Sequence, residues 1–527
     1  MIHSLTLALT PAQAFDAPEL RMRLCEELEI YDEQLSGIKI LKRSIDARGR
    51  NIKVHVQLEA FVDEPMPESN YKWEPRDVSK GKSVIIIGCG PAGMFSALRL
   101  IELGLKPIIL ERGKDVQRRR RDIAAIHKLH YVNPDSNYCF GEGGAGTYSD
   151  GKLFTRSGKR GDINRILELF VAHGADETIL ADAHPHIGTN KLPQIIIKMR
   201  ENILASGGEI HFDTRVTDFE VSNNKIRSVV TEHNGVSKSF SAENIILATG
   251  HSARDIFELL DRKTILIEAK PFAVGVRVEH PQALIDSLQY HCSIDEVALR
   301  REFLPAAPYS LVHQVDGKGV YSFCMCPGGI IAPCATGPEQ VVTNGWSPSK
   351  RNNPYANSGI VVAVDPSELT EYKQYGAFAG LRYQQDLEKM AWTAGGKTQT
   401  GPAQALQDFV DGKLSNKLPD CSYQPGVISA PLHDLLPPSI GKRLQEGFKA
   451  FGEKMKGYLS NEALIVAIES RTSSPIRIPR DKEKLHHPQI TNLFPCGEGA
   501  GFAGGIVSAA MDGERCAEAI NDLRINN

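Results

Sequence analysis

Two glycine-rich segments at opposite ends of the chain constrain its fold more than any other feature. The first is Val84-Ile85-Ile86-Ile87-Gly88-Cys89-Gly90-Pro91-Ala92-Gly93; the second is Phe494-Pro495-Cys496-Gly497-Glu498-Gly499-Ala500-Gly501-Phe502-Ala503-Gly504-Gly505-Ile506. The four β-branched residues Val84 to Ile87 suit a strand buried on both faces, as in a parallel sheet. Gly88 permits a tight turn, Gly90 lets the backbone approach a pyrophosphate, and Gly93 lets the next helix lie close to the sheet. That helix starts at Pro91, where the missing N–H costs little. Gly104 serves as its C-cap, and Met94, Leu98 and Ile101 form its inward stripe. Its N-terminus offers free N–H groups and the positive end of the helix dipole to a diphosphate. A second strand, Pro107 to Leu110, ends at Glu111, where a carboxylate takes both hydroxyls of an adenosine ribose and repels a 2′-phosphate. Strand, glycine turn, helix, strand and acid in one unit read as a dinucleotide-binding Rossmann unit.

Later segments select FAD over NAD. Ile245-Ile246-Leu247-Ala248-Thr249-Gly250 is a buried strand ending in a turn of small residues. In FAD proteins of the glutathione-reductase and hydroxybenzoate-hydroxylase class, such a turn packs against the nucleotide. Gly497-Glu498 follows a strand from Leu493 to Cys496, and an acid there reaches a ribityl chain. Gly504-Gly505-Ile506 opens a helix, Val507 to Ile520, whose N-terminus faces the flavin pyrimidine oxygen and stabilises negative charge on it. The loop Gly141 to Leu153, with Gly143, Gly144, Ala145, Gly146 and Thr147, offers backbone N–H groups and little bulk, suiting a flat ring and its phosphates. Arg112 beside Glu111, and Val216 after the third parallel strand, complete the candidate contacts of a noncovalent FAD.

The chain resembles a bacterial family of FAD-dependent dehydrogenases, also labelled NAD(FAD)-utilising dehydrogenases. The resemblance is carried by Lys42-Arg43-Ser44-Ile45-Asp46-Ala47-Arg48, the run from Asn137 to Phe154, Gly275 to Gln282, Tyr321 to Gly329, Asn344-Gly345, Arg351, Gly395 to Gln404, Glu469 to Ile478 and the closing glycine motif. It spans nearly the whole chain. It implies FAD and the Rossmann-type FAD fold, and it names no substrate. It also implies that an arginine of the cluster Arg118 to Arg121, Arg119 foremost, approaches the FAD phosphates; a solvated helix face is the plainer reading of that cluster.

The expected architecture is α/β. A small N-terminal α/β domain occupies 1–80, with strand Ser4 to Leu9, helix Pro18 to Ile30, and strands Ile38 to Ser44 and Asn51 to Phe61. A polar, proline-containing linker covers Asp63 to Lys82. The discontinuous FAD domain takes 81–262 and 469–527: a parallel sheet that includes Glu209 to Phe212, plus an antiparallel β-meander from Val216 to Ser241 with turns at Asn223-Asn224 and Asn234-Gly235. Residues 263–468 form an inserted α+β cap or substrate domain with few long helices.

Length and composition fit such an enzyme. The 527 residues suggest two to four domains, and the formal charge of −3 carries no nucleic-acid or membrane signature. Ten scattered cysteines suggest a reducing compartment, hence the cytoplasm. No leader or membrane-spanning apolar run is read. The catalytic candidates are Lys152, His251, Arg471 and Cys324. Lys152 stabilises a reduced flavin anion or is a surface lysine. His251 is catalytic or a packing residue. Arg471 clamps a substrate carboxylate or pairs with Glu469 or another local acid. Cys324 and Cys326 lie two apart on an extended segment, which puts their Cα atoms about 6.6 Å apart with parallel side chains. That is near the long limit for a bridge, so the pair is expected as reduced, buried thiols without a catalytic role; Cys324 facing the flavin is the alternative. No metal site is expected. There is no second dinucleotide unit, no reductase-type cysteine pair after the first helix, and no hydroxylase-type Gly-Asp pattern in the tail. The reading is therefore an FAD oxidoreductase exchanging a hydride or electrons with a small organic substrate, with NADH or NADPH as a diffusing donor. A non-catalytic FAD-binding redox sensor or interaction protein is the second reading. Oligomeric state is not legible.

Overall fold

The computed structural model describes residues 1–49, 51–67, 71–155 and 158–525. At the N-terminus Lys53–Val62 is the centre of a three-stranded antiparallel sheet, flanked by Ile2–Leu9 and Leu35–Asp46. Val54, Val56 and Leu58 alternate inward and are fully buried against Leu20 and Leu24 of the helix Ala17–Leu28. A short helix not expected from the sequence, Pro11–Phe15, precedes it, closed by a Thr10–Gln13 capping box. Arg43 pairs with Asp182 at 3.0 Å and ties this unit to the next layer. Of the expected linker over Asp63 to Lys82, residues 68–70 lie outside the described residues.

The next layer is a five-stranded parallel sheet in the order Leu493–Pro495, Asn244–Leu247, Ser83–Ile87, Lys106–Leu110, Glu209–His211. Its central strand is buried on both faces. Ile86 packs against the helices Pro91–Glu102, Leu192–Ala205 and Ile506–Ile525, while Ile85 and Ile87 pack beneath a three-stranded meander and the helix Arg254–Arg262. The meander runs Arg215–Ser222, Lys225–His233, Val236–Phe240. Asn223, Asn224, Asn234 and Gly235 take the left-handed conformations that such tight hairpins require.

The first helix after the central strand ends at Glu102. Gly104 follows its cap with φ +77°; the N–H of Gly104 bonds Ile101 O and that of Leu105 bonds Leu100 O, a Schellman closure one residue past the helix proper. Two glycines set how close the layers come. A Cβ on Gly93 would stand 2.0 Å from Gly88 O, and one on Gly513 would stand 2.2 Å from Ala92 O. The second glycine lets the last helix of the chain lie against the first helix of the dinucleotide unit, where Ser96 Oγ donates to Gly513 O at 3.0 Å.

Between Arg254–Arg262 and the return to the parallel sheet stands a seven-stranded sheet. Its order is Val312–Val315, Lys318–Cys326, Tyr355–Val364, Phe272–Pro281, Leu464–Glu469, Gly401–Ala405, Val427–Ser429, antiparallel except for the last pair. Helices Ala379–Ala394 and Pro438–Lys454, of 16 and 17 residues, pack on it through Leu387, Ala391, Leu444, Phe448 and Phe451. The architecture is thus α/β: a Rossmann-type parallel sheet with a meander, an inserted mixed domain and a small N-terminal domain. No helix of the described residues is long and apolar enough to cross a membrane.

Gly513→Ala is expected to destabilise the protein by about 1–3 kcal/mol, because the new methyl group meets backbone that cannot step aside. A thermal or denaturant melt reads this directly; an unchanged midpoint would mean that the two helices separate at little cost.

Candidate functional site

One cavity of about 370 Å³ lies just beyond the carboxyl ends of the parallel strands, bordered by Gly88, Glu111, Ala248 and Cys496. This is where open α/β sheets bind ligands. It continues from the meander at Val216 to the inserted domain at Phe323, Cys324 and Asn344.

At the meander end the glycine turn is shaped by backbone alone. Gly88 has φ +104°, and a Cβ there would stand 2.5 Å from Ala248 O. Gly90 caps the first helix without a side-chain bond, and the nearest atom to its Cβ position is 3.8 Å away. The first N–H groups of that helix, from Ala92 onward, have no intrahelical partner and start at this open edge. Glu111 is only 5% exposed. Its Oε2 accepts from Cys89 N at 2.8 Å, and its Oε1 accepts from Gly113 N at 2.8 Å and Gly141 N at 2.9 Å. Three of roughly four lone-pair sites are therefore taken. Of the lone pairs expected from the sequence to meet two ribose hydroxyls, one on Oε2 is left open, because the carboxylate also fastens two loops. Arg112 borders the cavity, held by Asp135 and Asp255 and stacked on Phe140.

Arg119 departs from expectation. It is fully buried and does not border the cavity. Its guanidinium donates to Asn137 O (2.7 Å), Glu142 O (2.8 Å), Tyr138 O (2.8 Å) and Gly144 O (2.9 Å). The carbonyls of the tightly turned glycine loop converge on one side, and Arg119 gathers them, although burial pushes its pKa down. Gly144, Ala145 and Gly146 reach the cavity; Gly143 and Thr147 lie behind them. A Cβ on Gly143 would fall 1.9 Å from Thr147 Oγ1, which itself donates to Glu142 O. Gly93 and Gly497 also support rather than border the cavity, Gly497 N donating to Asp512 at 2.8 Å.

At the other end Thr249, Gly250, His251, Glu498, Gly504, Gly505 and Ile506 border the space. Nothing lies within 4 Å of the Cβ positions of Gly504 and Gly505, and the last helix starts at Ile506. His251 Nε2 lies 3.7 Å from Glu498 Oε1. Burial, then the positive charges of Arg471, Arg254 and Lys270, push the imidazole down to about 3. Burial pushes the Glu498 carboxyl up to about 7 against the pull of Lys270. A neutral imidazole thus stands beside a carboxyl that titrates near neutrality.

Arg471 borders the cavity but is fully engaged. It forms two bonds to Glu388, at 2.9 and 3.0 Å, and further bonds to Ser252, Thr336 and Gln340. The expected substrate clamp is therefore not free, and its acid is Glu388, from the helix Ala379–Ala394, while Glu469 stands 3.7 Å from Arg277. Lys152 Nζ donates to Met325 O and stands 3.7 Å from Cys326 Sγ.

Cys324 overturns the flat-strand geometry. It has φ +46°, and the pairing of its strand with Tyr355–Val364 slips between Phe323 and Cys326. Cys324 is exposed toward the cavity while Cys326 is buried. The surrounding walls of the cavity desolvate the Cys324 thiol and push it up to about 11, opposed by Lys152. Behind it Arg277 donates to Cys324 O at 3.3 Å and to Asn344 Oδ1 at 3.1 Å. Sequence reasoning assigned no role to Asn344, Arg277, Arg254 or Glu388. Asn344 and Arg277 lie in segments that carried the family resemblance; Glu388 left no signal beyond a polar position in a helix. Cys496, Asp512 and Cys516 bring ligand atoms within 4.8 Å of one another, but Asp512 is held by Arg480 at 2.6 Å, so a guanidinium already supplies the positive charge there.

This geometry defines a Rossmann-type FAD-binding fold with a cap domain. Residues 271–472 match the family model described as FAD-dependent protein, C-terminal domain-like, and residues 1–61 match a domain of unknown function, DUF8436. An uncharacterized protein of Clostridium beijerinckii is 37% identical over 525 residues, covering 96% of each chain, and the present chain belongs to its family. Solved structures with distant likeness include a flavin-dependent brominase (14% identity, 84% of this chain and 79% of that one, TM-score 0.37). Another is a geranylgeranyl bacteriochlorophyll reductase-like protein from Thermoplasma acidophilum (11% identity, 85% and 80%, TM-score 0.35).

The Glu498 carboxyl binds its proton more tightly in the folded protein than in the unfolded chain. Its contribution to stability is therefore present below about pH 4.5 and is lost as pH rises toward 7. Without added ligand, the melting temperature of Glu498→Gln relative to the parent is expected to rise between pH 5 and pH 8. A difference that stays level with pH would place the carboxyl in ordinary solvent.

Proposed function

We propose that the chain is an FAD-dependent oxidoreductase of the FAD-dependent dehydrogenase type that its sequence resembles. The observation that carries this is the cavity itself. It joins the glycine turn after the central strand, the Glu111 carboxylate, and the two glycines that open the last helix, and it leaves room where side chains would stand. These residues fit FAD. Gly90, Pro91 and Ala92 would face its pyrophosphate, Glu111 Oε2 one ribose hydroxyl, Gly144 to Gly146 and Gly504 to Ile506 its ring, and Glu498 its ribityl chain. When bound, FAD supplies two-electron transfer.

The chain's own residues supply position and charge. The helix starting at Ile506 directs its positive end toward the cavity. Glu498 holds a proton near neutral pH beside the neutral His251 imidazole. Lys152, fixed by Met325 O, keeps a positive charge on the cap side. Phe323, Cys324, Asn344 and Gly345 close the cavity over the space left for a small organic substrate. NADH or NADPH serves as a visiting donor, since the chain carries one glycine fingerprint of this type, and the cytoplasm is the compartment such a donor implies.

The purified protein is expected to be yellow, and heat or acid should release FAD into solution. A colourless protein that takes up no added FAD would sink the proposal. Glu111→Ala should weaken FAD binding by about 1.5–3 kcal/mol through loss of charge-assisted hydrogen bonds. Titration with FAD measures the affinity, and equal affinity in variant and parent would put the ribose elsewhere.

A further inference from the structure

The cavity collects thiols. Cys89, Cys139, Cys324, Cys326, Cys334 and Cys496 all border it. Four of them are accounted for by packing. Cys89 and Cys496 sit at tight turns after parallel strands, and Cys139 and Cys334 pack against each other's segments, with Cys139 Sγ 3.9 Å from Cys334 O. Cys324 and Cys326 are different. A residue with a Cβ is disfavoured at φ +46°, and the pairing with Tyr355–Val364 would be more regular without the slip after Phe323. Both features turn the Cys324 thiol into the cavity, and Cys326 Sγ lies back along the chain, 3.2 Å from Cys324 O. Two cations hold the short bend between the sulfurs: Lys152 at 3.7 Å from Cys326 Sγ, and Arg277 on Cys324 O at 3.3 Å.

We propose that Cys324 and Cys326 form a redox-active dithiol that exchanges two electrons with the FAD of the same cavity, and that the outer substrate is a small dithiol or its cyclic disulfide. The inference rests on the FAD reading above. In the oxidative direction two S–H bonds break and one S–S bond forms. The two electrons and one proton pass to the oxidised flavin, and the second proton leaves to solvent. An external dithiol then restores the pair. One of its thiolates attacks Cys324 Sγ, the exposed sulfur, and Cys326 leaves as a thiolate beside Lys152. The second external thiol attacks the mixed disulfide, releasing Cys324 and an external disulfide. The net change is one dithiol oxidised and one flavin reduced by two electrons.

The test uses the FAD-loaded full chain under anaerobic conditions. After treatment with diamide and removal of excess reagent, the protein is denatured, alkylated with N-ethylmaleimide and analysed by peptide mass spectrometry. Cys324 and Cys326 should be found joined and unalkylated. Reductive titration of the same diamide-treated protein should take two two-electron equivalents to bleach the flavin, and only one in Cys326→Ser. Dihydrolipoamide should reduce the flavin at least a hundredfold more slowly in Cys324→Ser, with the FAD absorbance unchanged. A yellow protein in which both cysteines are alkylated and one equivalent bleaches the flavin overturns the dithiol while leaving the FAD reading intact. A protein with no FAD absorbance overturns the FAD reading itself. If a variant does not hold FAD, the mass and the electron count of the parent decide alone.

Discussion

One buried carboxylate holds the two halves of this chain together. The chain leaves the parallel-sheet layer through the helix Arg254–Arg262 and returns through the segment after Leu464–Glu469. Glu388, fully buried on a helix of the inserted domain, accepts from Arg254 at 2.8 and 2.8 Å and from Arg471 at 2.9 and 3.0 Å. Ser470 adds a bond at 2.8 Å. Burial alone would raise the carboxyl, and the two guanidiniums outweigh it and hold it well below the usual range. Removing one member of such a set leaves an uncompensated buried charge, at a cost of about 3–5 kcal/mol. The exit and the re-entry of the insertion are thus pinned to one point beside the cavity.

The same device recurs at smaller scale. Arg119 fastens the glycine loop by four carbonyls, and Glu111 fastens the glycine turn and that loop by three N–H groups. Glycine segments have no side chains with which to hold themselves, so charged groups anchored elsewhere bind their backbones. This leaves the inner surface smooth, which a flat cofactor needs, and places the charges behind it or at its edge. Gly345 follows the same logic on the cap side: a Cβ there would collide with Asn357 Oδ1 at 2.2 Å and with Arg277 Nη2 at 2.6 Å.

The site consequently carries its chemistry on few side chains. His251 and Glu498 stand 3.7 Å apart at one wall, and Lys152, Cys324 and Asn344 stand on the cap side. Arg471, which by type looked like a substrate ligand, is consumed by the architecture. With Arg471 so engaged, the cap wall offers thiol, amide and ammonium groups and, among the described residues that border it, no arginine free to clamp a carboxylate.

The sequence by itself determined the elements whose signal is local. Val84 to Ile87 could only be a strand buried on both faces, Gly88 and Gly90 only a turn with an open inner edge, and Asn223-Asn224 and Asn234-Gly235 only tight hairpins. These are short-range facts of sterics and period, and the parallel sheet with its meander follows from them. Tertiary structure decided the partners. Whether Arg471 meets a substrate or Glu388, and whether Arg119 meets a phosphate or four carbonyls, depends on residues far away in the chain. An arginine's spacing carries no trace of which acceptor the fold will bring to it. Cys324 shows the limit most directly. An extended strand would have set its thiol parallel to that of Cys326, and the register slip that turns it into the cavity arises from pairing with Tyr355–Val364, a strand that no local pattern in the cysteine segment could foresee.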